Sequence, residues 1–325
     1  MLSYCAPDGS LEIASNSTRS TGQQHLYIGI FYVLYGFVGL FLNGFVLFVF
    51  TRPFLFSHTC YKLMAYITLL DIINLINSAI FPGIFSIFEL HHCNAGIVVV
   101  VVATFQNGIW YLYCAASMTL AVNRVLMFAH SKFEKYLFSG RRLYLWLLFG
   151  IVYVAGVWIP VPDMFYIYNP YEGSYVLLRL SGQTNYVVVV SNLFKTIFIT
   201  LIYAFMLILM YIDLRKVDKT AKICQFQRKV SVQTMVVAAL ADAAALGYAV
   251  IVYIPGFRAH AGVVAEILWI SLHVGTSIVY VVMNKNVNQR FLKLMARLTC
   301  RSSKHVQKVS VVSMTSIVSK SVHHN

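Results

Sequence analysis

Charge is what this chain has least of: Asp, Glu, Lys and Arg make up 11% of its 325 residues, against about 25% in a soluble domain. With 59% hydrophobic residues, that shortage excludes an ordinary water-soluble fold and leaves an integral membrane protein. Acidic residues are scarcer still, 11 against 25 Lys and Arg, for a net charge of +14. Such a balance raises nucleic acid as a partner, but almost all the basic residues sit in three short loops and a tail. That distribution sets membrane orientation and excludes a nucleic-acid function. Six cysteines are too few for a disulfide scaffold in a chain this long. The chain has no P-loop, nucleophile elbow or HExxH, and its charges do not cluster as an acid–base pair. An enzyme, a cofactor and a metal centre are therefore not expected. His91-His92 beside Cys93 has a metal-like composition without further ligands nearby, and reads as a solvated loop. Met1–Gln24 lacks an apolar h-region, so the first membrane helix is expected to direct insertion.

What the chain does have is long apolar runs. They cover Leu26–Phe50, Tyr61–Phe88, Ile97–Phe128, Leu143–Val161, Tyr186–Ile212, Val230–Ile254 and Val263–Met283. Each is long enough to cross a bilayer as a helix, and Pro82 and Pro255 lie only at run ends, where helix breakers are tolerated. The run Ile97–Phe128 would span about 48 Å as a helix, beyond the ~30 Å hydrocarbon core, and closes on Asn123-Arg124. All 25 Lys and Arg except Arg19, Arg179, Lys195 and Arg258 fall in the loops and tail on one side. Seven spans then place the amino terminus outside and the carboxyl terminus in the cytoplasm of a plasma-membrane protein.

This reading divides the chain into an extracellular arm (1–25), a seven-helix bundle (26–285), an interfacial helix (286–300) and a disordered cytoplasmic tail (301–325). Val287, Phe291, Leu294, Met295 and Leu298 form one helical stripe, with Arg290, Lys293 and Arg297 off it, which predicts a helix lying along the bilayer surface. Cys300 at its end is either a palmitoylation acceptor or a plain thiol. The tail serines among lysines make it a kinase substrate and an arrestin partner, as any polar tail of this kind would be. Asn16-Ser17-Thr18 is a glycosylation acceptor for an extracellular arm. Cys5 and Cys93 are the only extracellular cysteines on this topology. In an oxidising environment they are a bridge from the arm to the top of span three, or two lone thiols.

Polar residues at bilayer depth each need a reason. Asn43, Asp71 and Asn74 form a candidate polar core that binds a cation or rearranges on activation; helix-packing hydrogen bonds are the plainer alternative. Lys195, Glu266 and His273 are candidates for an outward-facing pocket among aromatic side chains. Snorkelling to the outer headgroups is the alternative for Lys195 and Glu266, and a satisfied core position the alternative for His273.

The order of these residues resembles a G-protein-coupled receptor: Gly39 before Asn43, Asp71 in span two, Asn123-Arg124 closing span three, and Tyr280-Val281-Val282-Met283-Asn284-Lys285 before the interfacial helix. Two stretches resemble more narrowly the nematode serpentine chemoreceptors of class T (Srt): Cys60-Tyr61-Lys62-Leu63-Met64 leading to Asp71, and Trp269-Ile270-Ser271-Leu272-His273 followed by Ile278-Val279-Tyr280 and Asn284. The resemblance covers about Leu26–Leu294. It implies an all-α seven-transmembrane bundle with an amphipathic eighth helix and a chemosensory role, in sensory cilia for example. It further implies a small-molecule ligand and a heterotrimeric G protein as partners, within a lipid bilayer. Arg124 would meet the G protein, with Asn123, Tyr280 and Asn284 as switch residues. Asn123 stands where an acid is usual, so the resting arginine–carboxylate lock is expected to be absent. Thr276-Ser277 replaces the usual Asn-Pro before Tyr280, and span six has no Trp-x-Pro. The second outer loop, Pro162–Asn185, has no cysteine to pair with span three. An aromatic pocket with Lys195 as anchor implies a small acidic or volatile ligand. The rivals are a receptor for an endogenous neuropeptide, for which the outer loops offer few acids (Glu89, Asp163, Glu172), and a small-solute transporter, for which the halves show no internal repeat.

Overall fold

The computed structural model describes residue 5 and residues 23–159, 164–179, 186–215, 221–251 and 260–298. Long apolar sequences become helices here because a backbone without water must satisfy its own hydrogen bonds. The helices are α1 (Gln24–Phe50), α2 (Pro53–Phe56), α3 (Thr59–Leu75), α4 (Phe81–Ile87), α5 (His92–Ala95), α6 (Ile97–Ala129), α7 (Ser131–Phe138), α8 (Arg142–Trp158), α9 (Tyr186–Arg215), α10 (Ala221–Ile251), α11 (Ala261–Met283) and α12 (Lys285–Leu298). By length and composition, six spans among the described residues can cross a membrane, or seven when α7 and α8, bent by 72°, are taken as one span. The second span is α3 and α4 joined by a π-helical turn, Ile76–Ile80.

The outer faces of the bundle remain apolar: Leu34, Phe37, Ile151 and Leu201 are each more than half exposed. Such a belt belongs against lipid tails rather than water. Inside, α6 is the central element, packed on α3, α8, α9 and α10, and its Trp110, Tyr111, Tyr113 and Cys114 are fully buried. α1 closes against α4 because Gly29 and Gly83 let the two backbones meet: a Cβ on Gly29 would lie 2.6 Å from the Gly83 carbonyl oxygen. α12 turns off α11 at Asn284 and lays Val287, which is buried, and Phe291 toward the bundle, with the Phe291 ring 5.5 Å from that of Phe45.

Two features depart from the sequence expectation. The loop after α8 contains an antiparallel hairpin, β1 (Met164–Asn169) with β2 (Ser174–Arg179), in a chain read as all helix. Its turn passes through Gly173 at φ +64°, a conformation suited to glycine, and the Gly173 carbonyl accepts from the Tyr32 hydroxyl at 2.8 Å. Tyr168 shares a 2.7 Å hydrogen bond with Ser86, and Tyr175 donates to the Asn77 carbonyl within the π-helical turn. These tyrosines fasten the hairpin over the Cys93 end of the bundle. The second departure is at His91-His92, which is packed rather than solvated. His91 is 3% exposed; its Nδ1 accepts the Cys93 N–H at 3.3 Å while Asn94 Oδ1 accepts the His91 N–H at 2.8 Å, a reciprocal cap on α5. Burial pushes both imidazoles below their ordinary range. The structure joins Cys5 to Cys93 in a disulfide, tying the arm to this cap. Asn16, Cys300 and the tail beyond it lie outside the described residues.

Candidate functional site

α6 supplies walls at both ends of the bundle. Toward the Cys93 end, Ala103, Gln106, Asn107 and Trp110 share one helical face and line a cavity. Tyr175 of β2, Val188 and Asn192 of α9, Ala245 of α10, and Glu266 and Trp269 of α11 complete it. Indole N–H groups set the amides: Trp110 donates to Asn192 Oδ1 at 2.8 Å and Trp158 to Asn107 Oδ1 at 3.4 Å. The rings of Trp110 and Trp269 meet with centroids 4.3 Å apart.

Of the three expected pocket residues, the structure brings only Glu266 to this cavity. Lys195 is fully buried and does not snorkel: its Nζ lies 3.2 Å from Asp242 Oδ1, across the α9–α10 contact, and 5.2 Å from the Trp110 ring centroid. A carboxylate on the neighbouring span holds the ammonium inside, so the expected anchor for an acidic ligand is already paired. His273 lies two helical turns from Glu266 along α11 and joins a different cluster, its Nδ1 2.6 Å from Asp71 Oδ1.

That cluster is the polar core. Asn43 Nδ2 donates to the carbonyls of Gly39 at 3.0 Å and His273 at 3.1 Å, and Asn74 Nδ2 donates to the Leu70 carbonyl at 2.9 Å. Asn43, Asp71, Asn74 and His273 are all 0% exposed. Asp71 Oδ2, Asn43 Oδ1, Asn74 Oδ1 and Ser78 Oγ keep no hydrogen-bond partner among the described residues. These buried oxygens are without a protein donor among the described residues, and water or a cation would satisfy them. Asp71 and the two asparagines stand out in sequence as polar breaks in apolar runs. His273 stands out too, but as a pocket candidate; that it partners Asp71, 202 residues away, does not.

At the other end of α6, Arg124 is fully buried. Its Nε and Nη2 both donate to Asn123 Oδ1, and Nη1 reaches the Met127 sulfur at 3.7 Å. Asn123 Nδ2 in turn donates to Glu134 Oε1 of α7 at 2.7 Å. The lock expected to be missing is thus relayed: Asn123 transmits the carboxylate of Glu134 to the guanidinium. Sequence reasoning passed over Glu134, although it is the acid nearest to Asn123 in the chain, 11 residues on. Glu134 also lines a cleft with Ser57, His58, Cys60, Tyr61, Met127 and Val230.

Tyr280 and Asn284 sit beside this cleft. The buried Tyr280 ring packs edge-on against Phe50, centroids 5.1 Å apart, and Phe50 packs likewise on Tyr61 at 5.4 Å. Asn284 Nδ2 donates to the Tyr61 hydroxyl at 3.0 Å and to Gln233 Oε1 at 3.4 Å, while its Oδ1 accepts the Asn286 and Val287 N–H groups. One amide therefore ties α3, α10, α11 and α12 together.

Comparison with known proteins agrees with this architecture. The fold is similar to that of squid rhodopsin, with a TM-score of 0.66 at 13% identity, over 86% of this chain and 88% of that one. Serpentine receptor class T-55 of Caenorhabditis elegans is 22% identical over 299 residues, covering 88% of this chain and 79% of that protein. Residues 4–304 match the family described as serpentine type 7TM GPCR chemoreceptor Srt. The chain is therefore a multi-pass, seven-helix membrane protein of receptor type, and it belongs to the Srt family of serpentine chemoreceptors.

Proposed function

We propose that this receptor takes a small environmental molecule into the cavity between α6, α9, α11 and the hairpin and passes the event to a heterotrimeric G protein at the Arg124 end. The amino terminus and the hairpin face outward in this reading, as the one-sided distribution of Lys and Arg supports. One observation carries the reading: a single helix, α6, bears Gln106, Asn107 and Trp110 in the cavity wall and Asn123-Arg124 at its far end. Fourteen residues separate Trp110 from Arg124, about 21 Å of continuous helix. A ligand that shifts α6 against α9 and α10 favours a state in which those helices part at the cytoplasmic face. Arg124 then leaves Asn123, and the cleft beside Glu134 widens toward the G protein. The Lys195–Asp242 pair across α9 and α10 lies on this route, directly beside Trp110.

The test is nucleotide exchange on a panel of heterotrimeric G proteins by surface-expressed wild type and Arg124→Ala, without added ligand. Exchange above background from the wild type that Arg124→Ala abolishes is the expected result. No exchange from either protein, with expression at the surface confirmed, would count against coupling through Arg124.

A further inference from the structure

We infer that the cavity takes a small cationic amine, with the Glu266 carboxylate as its counter-ion and the rings of Trp110 and Trp269 as its walls. Glu266 is 4% exposed yet lines the cavity. Its Oε1 has no hydrogen-bond partner among the described residues. Gln106 Oε1, in the facing wall of α6, is likewise without one. These two atoms are acceptors, and the side-chain acceptors of Asn107 on α6 and Asn192 on α9 are taken by indole N–H groups.

Among the described residues, no Lys, Arg or His lines the cavity. Lys195, on its flank, is held by Asp242 at 3.2 Å, so the acidic group facing an occupant is Glu266. A buried carboxylate costs several kcal/mol unless a cation or donors compensate it. Indole rings attract a cation through their electron-rich faces, as Trp110 already does for Lys195 Nζ at 5.2 Å. An ammonium group meets all three conditions: it brings donors for two acceptors, a charge for the carboxylate and a partner for the indoles. A carboxylate ligand would bring neither donors nor a compensating charge to Glu266.

The proposal rests on the small-molecule part of the proposed function and not on coupling, so its test is direct binding. Purified receptor is melted with 2-phenylethylamine or cyclohexylamine, and with 2-phenylethanol and phenylacetate as neutral and acidic counterparts of the first. Saturable stabilisation by at least one ammonium compound, and by neither counterpart, is expected. Glu266→Gln should weaken that amine about tenfold or more, and Glu266→Asp should retain part of the affinity. The idea is overturned if no ammonium probe stabilises the wild type, if the alcohol or the acid does so equally well, or if a folded Glu266→Gln binds the amine unchanged. The comparison among probes on the wild type needs no variant, so a misfolded Glu266→Gln leaves it decisive. Nucleotide exchange measured in the same preparations separates the two claims. Glu266-dependent amine binding without exchange removes coupling and leaves the ligand class standing. Exchange driven by a neutral or acidic ligand removes the ligand class and leaves coupling standing.

Discussion

Asn123 illustrates how a residue can lack a charge and still transmit one. Its amide has an acceptor for Arg124 and a donor for Glu134, so a neutral side chain couples a guanidinium to a carboxylate of the next helix. On the proposed function, Glu134→Gln keeps the shape and removes the charge, and basal nucleotide exchange should rise about fivefold or more, the scale of a 1 kcal/mol coupling. Adding Arg124→Ala to that variant should return exchange to background. Unchanged basal exchange in Glu134→Gln would show that the relay does not restrain Arg124. At this scale the sequence revealed Asn43, Asp71, Asn74, Asn123 and Arg124, because a polar residue in an apolar run is visible by itself. It did not reveal His273 as the partner of Asp71 or Glu134 as the partner of Asn123, because partnership is a property of distance.

Among the elements, the contact between α9 and α10 contains an ion pair at membrane depth. Lys195 is fully buried and the Asp242 side chain is 14% exposed, with Thr200 Oγ1 adding a 3.4 Å contact to the carboxylate. Removing one partner leaves an uncompensated charge, whereas removing both leaves apolar packing. Lys195→Met should therefore destabilise the solubilised receptor by about 3–5 kcal/mol, and Lys195→Met with Asp242→Leu should recover most of that loss. Thermal melts of the two single variants and the double variant test this; additive losses would exclude a coupled pair. The hairpin belongs to the same scale. Tyr166, Ile167, Tyr168 and the run from Tyr175 are β-prone, and Asn169-Pro170-Tyr171-Glu172-Gly173 is turn-prone. In a chain dominated by helical runs, a hairpin of two six-residue strands is outweighed in the sequence signal. It forms because Ser86, Asn77 and Tyr32 provide hydrogen-bond partners for its tyrosines and its turn.

For the whole molecule, the decisive quantity is which end of the bundle faces outward. The proposed orientation makes the arm extracellular, where the distribution of Lys and Arg, the disulfide between Cys5 and Cys93 and the acceptor at Asn16 would all fit. Expressed in a eukaryotic cell, the receptor should carry an N-glycan removable by glycosidase, and Asn16→Gln should abolish that mobility shift. An arm that stays unglycosylated, and a tail accessible only from outside, would reverse the orientation. On the proposed orientation the cavity lies at the outer end and the cleft beside Glu134 at the inner end, as a receptor driven from outside requires.

By itself the sequence determined the number, length and order of the spans, the sidedness of the charge and the family resemblance. These follow from local quantities: apolar run length, loop composition and the spacing of a few polar residues along one chain. Only the tertiary structure decided what each polar residue faces. Lys195, Glu266 and His273 look equivalent along the chain, as ionisable groups in apolar helices, yet one is paired with Asp242, one opens into a cavity and one closes on Asp71. The physical reason is that a buried charge takes its role from its nearest opposite charge, and in a helical bundle that neighbour lies on another span, tens to hundreds of residues away.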